Sequence, residues 1–265
     1  MENKKCTIVI LTKDEENNLK RIFNNLRHLN YPVLVVDSGS TDKTKEVCLN
    51  NEALFVYNEF KNFCQQRNFA LEYVNTEWIL FLDADEILSE ELKIYLNNFL
   101  NSIVGEDISA FSFNRKAIAF GKRLKYAWSD SVIRLLRTND CKYDSDLLVH
   151  EQVITNGKVK DVSEGYIKHY TYSNFKQYLE KMRFYIELEG ESLKEKDYSL
   201  LNIISRSLLT LLDRLFFKKW ILDGFSGLHA SFTSFVVTFL SLSLARSIKE
   251  NGNIYSAVKT KFQDS

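Results

Sequence analysis

Short apolar runs alternate with helical patterns through the first ninety or so residues. Cys6–Thr12 (CTIVILT) is apolar and rich in β-branched residues, the pattern of a strand buried on both faces. A polar stretch, Lys13–Asn17, follows, and Leu19, Ile22, Phe23, Leu26 and Leu29 then recur at helical spacing. Val33–Val36 predicts a second buried strand that ends in the polar tail Asp37-Ser-Gly-Ser-Thr-Asp42, with a helix over Lys43–Asn50. Ala53–Tyr57 predicts a third strand, Phe63–Val74 a helix and Trp78–Leu82 a fourth strand. This alternation predicts an α/β fold, a doubly wound, mostly parallel sheet. Ligands of such sheets lie outside the carboxyl ends of the strands. Thr12, Asp37 and Asp83 all fall at such ends, so three polar tails are expected to meet at one crevice.

The second half is less periodic. Residues from about Ile108 to Arg137 carry the aromatics Phe120, Tyr126 and Trp128, whose faces can stack on a ring-shaped ligand. Arg115, Lys122, Arg123 and Lys125 can meet phosphorylated groups there; the plain alternative is core aromatics and solvated lysines. Phe175–Leu188 predicts an amphipathic helix with Phe175, Tyr178, Leu179, Met182, Tyr185 and Ile186 on one side. Leu200–Phe217 is more apolar but holds Arg206, Asp213 and Arg214, and Lys218-Lys219-Trp220 adds a basic, aromatic step. Gly224–Ala245 carries no formal charge for long enough to span a bilayer, yet contains five serines, two threonines and a histidine. The expectation is of helices packed on the main domain or lying at the cytoplasmic membrane surface, with a true span by Gly224–Ala245 as the alternative.

Composition narrows the class. The chain has 265 residues, 45% of them hydrophobic, enough for one large domain with an appendage. Thirty-five basic and thirty-five acidic residues give no net charge, which argues against a general nucleic-acid binder. The four cysteines (Cys6, Cys48, Cys64 and Cys141) form no Cys-x-x-Cys pair, so reduced, cytosolic thiols are expected. Met1–Lys5 runs directly into the first strand, so no secretory signal is expected.

The chemistry centres on Asp83-Ala84-Asp85, which follows the apolar run Trp78–Leu82. Two carboxylates at an opening sheet edge can hold a hard divalent cation, and the cation can grip a diphosphate. Asp37 can accept hydrogen bonds from a uracil ring or a ribose, with Thr12 and Glu15 beside it. Arg67-Asn68 can reach the ribose or phosphates, Asp83 the ribose or the metal, and Asp85 the metal. Each has a plainer reading: Asp37, Ser40 and Asp42 as helix caps, Arg67 as a solvated helix residue, Glu15 and Glu16 as helix-start acids. No glycine-rich dinucleotide or P-loop motif is present to do the phosphate work.

Ile8–Asn17, Val35–Asp42, Gln66–Ala70 and Leu82–Glu86 together resemble the family 2 glycosyltransferases, which have the GT-A fold. Arg134–Arg137, Leu148–Glu151 and His169–Tyr172 extend the likeness to roughly residue 190, nearest to the lipopolysaccharide core β1,4-glucosyltransferase type. The resemblance implies residues 1–190 as a GT-A domain, with a nucleotide-sugar half (1–105) and an acceptor half (106–190), and 191–265 as a helical extension. It implies an inverting transfer from a nucleotide-diphosphate sugar, UDP-glucose first, with UDP-galactose or a hexosamine close behind, aided by Mn²⁺ or Mg²⁺. Thr12, Glu15, Asp37, Ser38, Arg67, Asn68, Asp83 and Ala84 are then the nucleotide-sugar set, and Asp83, Asp85 and His169 the metal set. The family's base, often the second acid of Glu-Asp, falls on Glu151 in His150-Glu151; Asp144 and Asp146 stand in reserve, and His150 is a second possible metal ligand. Implied partners are a UDP-sugar and a glycan or lipid-linked acceptor; implied location is the cytoplasm, peripheral on the inner membrane face. Other classes stay open: a polyprenyl-phosphate sugar synthase, a nucleotidyltransferase, or a non-catalytic sugar-nucleotide-binding protein.

Overall fold

The computed structural model describes residues 5–100, 107–119, 121–144, 153–172 and 175–251. In chain order the first elements are β1 (Cys6–Thr12), α1 (Glu16–Leu26), β2 (Val33–Asp37), α2 (Thr44–Asn50), β3 (Leu54–Tyr57) and α3 (Phe63–Leu71). Next come β4 (Trp78–Asp83), β5 (Glu86–Leu88), α4 (Glu90–Leu100), β6 (Ile108–Ala119), β7 (Lys122–Arg123) and β8 (Asp130–Arg137). Last come β9 (Cys141–Tyr143), β10 (Val153–Thr155), β11 (Lys158–Tyr172), α5 (Phe175–Leu193), α6 (Leu200–Leu212) and α7 (Phe225–Asn251). A π-helical turn (Asp213–Phe217) and a 3-10 turn (Trp220–Asp223) lie between α6 and α7. The chain divides into two compact units, Met1–Ile118 with Ser129–Thr171, and Ala119–Trp128 with Tyr172–Ser265.

The first unit is a mixed α/β sheet in the order β3-β2-β1-β4-β8-β6-β11-β5. Its first four strands are parallel, as their continuous apolar runs predict. From β8 onward the recorded pairings are antiparallel. The sheet is covered on both faces. Ile8 and Ile10 of β1 pack with Leu19, Ile22 and Phe23 of α1 and Val47 of α2, whereas Val9, between them in sequence, packs with Cys64 and Ala70 of α3. That alternation is the side-chain period of a strand, and it is what makes the sheet doubly wound.

β5 and α4 lay outside the sequence expectation, as did β6 to β10. β5 is only three residues long, too short to read as a strand by pattern. It forms because β11 pairs with it and because the Asn25 side chain of α1 bonds both the Leu88 N–H and the Leu88 carbonyl, each at 3.0 Å. α4 starts at Ser89, whose hydroxyl accepts from the Leu92 N–H at 3.3 Å. β11 crosses close above this point at Gly165, where φ is +77° and a Cβ would lie 2.4 Å from the Leu92 nitrogen, so only glycine fits.

In the second unit α7 packs against both α5 and α6. α5 runs longer than the predicted Phe175–Leu188, and its apolar side is not a buried face: Tyr178 and Gly190 are buried, while Phe175, Leu179 and Tyr185 are exposed. Gly190 lets α7 approach, since a Cβ there would lie 2.8 Å from Leu244. The segment before Trp128 is tied to the helices by Asp223. That carboxylate accepts from the backbone N–H groups of Lys125, Tyr126 and Ala127 at 2.9, 2.8 and 2.8 Å. Within α7, Phe225–Glu250 is long and apolar enough to cross a membrane by length and composition, with a mean hydropathy of 1.5. All four cysteines are free and buried, and burial pushes the Cys48 thiol up to about 12 and the Cys141 thiol to about 11.

Candidate active site

β1 lies between β2 and β4, and its carboxyl end brings the first three site residues together. Thr12 is in register with Asp37, and Leu11 with Asp83. Neighbouring strands run about 4.8 Å apart, so Asp37 and Asp83 stand about two spacings apart across one strand end. The Thr12 hydroxyl donates to Asp37 at 3.0 Å. The other Asp37 oxygen accepts from the N–H groups of Gly39 and Ser40 at 2.9 and 2.8 Å, and the Ser40 hydroxyl donates to the carboxylate as well. Asp37 therefore builds the turn after β2. It does not cap α2, whose start has no side-chain cap. Ser38 accepts from the Gln66 side chain at 2.7 Å, and Gln66 also donates to the Asn58 carbonyl at 3.1 Å. Gln66 is fully buried and joins the ends of β2 and β3 to α3, a role the sequence reading did not assign.

The loops after β1 and β2 are laced together. Asp14, at φ +55°, accepts from the Thr41 N–H at 2.7 Å, and Ser40 accepts from the Asp14 N–H at 2.7 Å. The N–H groups of Glu15 and Glu16 donate to Thr44 and Asp42. Asp42 sits below the usual carboxylate range: burial works against this, but its hydrogen bonds to Thr44 and Glu16 prevail. Glu15 is half-buried and accepts from Asn18 at 2.6 Å.

Beneath the Asp-Ala-Asp turn runs a chain of charges whose centre, Arg67, Arg134 and Glu86, is buried. Arg67 donates to one oxygen of Asp83 at 2.8 Å and Arg134 to the other. Arg134 also donates to Glu86 at 2.6 Å, and Arg115 reaches Glu86 at 3.1 Å while forking onto Asp130 at 2.8 and 2.7 Å. Arg67 is 1% exposed, with its guanidinium 5.0 Å from the Phe81 ring centre, so it is no solvated helix residue. Glu86 is wholly buried and accepts from the Asp83 N–H at 3.1 Å, which fixes the turn. Burial alone would raise the Asp83 carboxyl, but Arg134, Arg67 and Arg115 overcome it and hold the group far below the usual range. Arg115 thus belongs to this network rather than to a phosphate-binding acceptor patch. Arg134 and Glu86 were visible in sequence only as parts of longer motifs.

Asp85 and His169 meet on the other side of the turn. His169 Nε2 lies 3.4 Å from the Asp85 carboxylate, because β11 pairs with β5 in the register His169↔Glu86 and the Tyr170 N–H donates to the Asp85 carbonyl at 2.8 Å. One oxygen and one imidazole nitrogen converge there, a donor set that suits manganese better than magnesium. Among the described residues no three His, Cys, Asp or Glu side chains gather into a metal cluster. Ala84, between the two acids, is buried in the core.

Asn68 bonds both backbone groups of Tyr143, each at 2.9 Å, and so anchors β9 to α3. Asp144, which follows β9, is half-buried. Glu151, His150, Asp146 and Phe120 lie outside the described residues. Trp128 packs edge-on to Tyr172 and Trp220, with ring centres 5.4 and 6.2 Å away. A cavity of about 450 Å³, lined by residues including Asp107, Asp140 and Lys158, lies at the opposite end of the sheet, beyond the Trp78–Arg137 pair. Its charges are already matched, Lys158 to Asp107 at 3.0 Å and Arg137 to Asp140 at 3.7 Å, so it does not compete as the site.

The fold is a doubly wound α/β sheet with acidic side chains at the carboxyl ends of β2 and β4. The model of glycosyl transferase family 2 matches residues 7–179, and the chain belongs to that family. It is a glycosyltransferase with a GT-A-type sheet and a C-terminal helical extension. It is 25% identical over 256 residues to an uncharacterised glycosyltransferase of Rickettsia typhi, covering 92% of this chain and 88% of that one. It is 26% identical over 220 residues to the lipopolysaccharide core biosynthesis glycosyltransferase LpsC of Rhizobium meliloti, covering 79% and 80%. Residues 1–349 of S. aureus TarS in complex with UDP-GlcNAc superpose with a TM-score of 0.47 at 13% identity, over 93% of this chain and 90% of that one.

Proposed function

We propose that the crevice at the ends of β1, β2 and β4 binds a UDP-sugar, UDP-glucose first. The hexose then passes with inversion to a hydroxyl of a bacterial surface glycan such as lipopolysaccharide core. The observation that carries the reading is the convergence of Thr12, Asp37 and Asp83 on one strand end, with Asp85 and His169 paired beside them. The name of the LpsC relative supports the acceptor class.

In this reading the loop built on Asp37 and Ser38 seats the nucleoside. Arg67 and Arg134 keep Asp83 ionised at the crevice, where it is within reach of the ribose. Asp85 and His169 would hold Mn²⁺ or Mg²⁺, with donor oxygens and water completing the shell. When bound, the ion neutralises charge on the departing diphosphate. Glu151, the base implied by the family resemblance, takes the acceptor's proton as its oxygen bonds to the anomeric carbon. The bond from that carbon to the diphosphate oxygen breaks on the opposite face, and UDP leaves.

The test is a donor screen. The purified protein is incubated with Mn²⁺ and a panel of sugar nucleotides, and slow hydrolysis is followed without acceptor. Release of UDP from a UDP-hexose is expected; release of a sugar phosphate would mean cleavage between phosphates and contradict the reading. With acceptor present, Glu151→Gln is expected to lower kcat by about 10²–10⁴-fold, the usual contribution of a positioned base.

A further inference from the structure

We infer that the outward face of α6, with the two turns that follow it, is a docking surface for an anionic lipid bilayer. α6 is amphipathic the wrong way round for a water-soluble helix. Its inward contacts are Ile203, which clusters with Leu242 and Ala245 of α7, and Ser207, which is small and bonds its own Ile203 carbonyl at 2.8 Å. Its larger side chains face solvent: Leu201 is 75% exposed, and Leu208, Leu209 and Leu212 are exposed as well. The π-helical turn continues the surface with Phe216 and Phe217, the latter 82% exposed. The 3-10 turn adds Ile221 and Leu222, and α7 opens with Phe225 at 83%. Scattered exposed apolar residues are ordinary, but eleven large ones exposed between Leu200 and Phe225 are a concentration.

Charge selects the occupant. Leu200–Phe225 contains Arg206, Arg214, Lys218 and Lys219 against two acids, Asp213 and Asp223, and the Asp223 carboxylate is engaged by three backbone N–H groups. Lys218 and Lys219 are exposed and directly follow the two phenylalanines, with Lys219 in the left-handed region at φ +59°. Cations beside inserted apolar groups match an interface of anionic headgroups over acyl chains, and a neutral protein surface offers no such match. Length sets the depth. α6 has 13 residues, about 20 Å of helix, short of the roughly 30 Å a span needs. α7 is long enough, but α5 and α6 pack along it. The surface therefore lies in the interface plane with α6 as its floor.

The test reads membrane partition, so it is independent of donor and acceptor identity. The full chain is floated in a density gradient with vesicles of phosphatidylcholine, with or without phosphatidylglycerol. It is expected to float with the anionic vesicles at about 0.1 M salt and several-fold less at about 0.5 M, where screening is stronger. Lys218→Glu with Lys219→Glu is expected to weaken flotation about tenfold or more, at juxtamembrane energies per lysine. Leu209→Ser with Phe217→Ser is expected to weaken it at either salt concentration. Both variants replace exposed side chains, so far-UV circular dichroism and Tm should stay at wild-type values. A wild-type chain left at the bottom of the gradient overturns the inference, as do variants that float like wild type. A dimer seen by sedimentation velocity and dissolved by the Leu209/Phe217 pair would make the face a protein interface. Resistance to alkaline carbonate would make the chain an integral membrane protein. Either result also overturns the inference.

Discussion

At the scale of the residue, the site is governed by who neutralises Glu86. This carboxylate has no access to water and depends on Arg134 and Arg115. Arg134→Met keeps much of the volume but leaves Glu86 with Arg115 alone, so the cost should approach, without exceeding, the roughly 3–5 kcal/mol of a buried pair that loses its only partner. The lost stability should appear as a lower urea midpoint with an unchanged slope. Asp83 gives a pH signature. Its folded-state carboxyl is depressed by the arginines, so its contribution to stability is complete above the unfolded value near about 3.9. That contribution is lost as pH falls through the folded value. The Tm advantage of wild type over Asp83→Asn should therefore be constant at neutral pH and shrink only below about pH 4. A shrinkage beginning near pH 6 would mean that Asp83 is not held by its arginines.

At the scale of the element, the close crossing of β11 over α4 sets the register that brings His169 to Asp85. Gly165→Ala combines a left-handed φ with a backbone clash at Leu92. It should cost more than about 1 kcal/mol and lower Tm by at least about 2–4 °C. If β11 shifts it should also disturb the proposed pairing of Asp85 and His169 around a metal and so lower activity; full activity with an unchanged Tm would count against this account of the crossing. The same element explains what could be read in advance. β1 to β4 were legible because each is a continuous apolar run ended by polar residues, and the convergence of Thr12, Asp37 and Asp83 follows from parallel pairing alone. β5 was not, because three residues carry no period and its pairing partner lies some eighty positions later. Arg134 was given no role, and Arg115 was placed on the acceptor side, for a related reason: only antiparallel pairing of β8 with β4 and β6 brings them beneath the turn. The inward or outward sense of α6 was also illegible, since a leucine stripe reads as a core face until the packing partner is known.

At the scale of the whole molecule, two compact units divide the work. The sheet unit carries every described residue of the proposed donor site, and the helical unit carries the proposed lipid-docking surface. The central claim concerns the first unit: nucleotide binding and the metal share the strand ends around β1. The most direct measurement is calorimetric titration of UDP with and without Mn²⁺ into wild type, Asp85→Asn and, as a control at the far cavity, Asp107→Asn. The account predicts that Mn²⁺ strengthens UDP binding to wild type and to Asp107→Asn alike, and that Asp85→Asn weakens the Mn²⁺-dependent binding by about tenfold or more, a loss of about 1.4 kcal/mol. UDP binding as tight in Asp85→Asn as in wild type, or lost with Asp107→Asn instead, would contradict it.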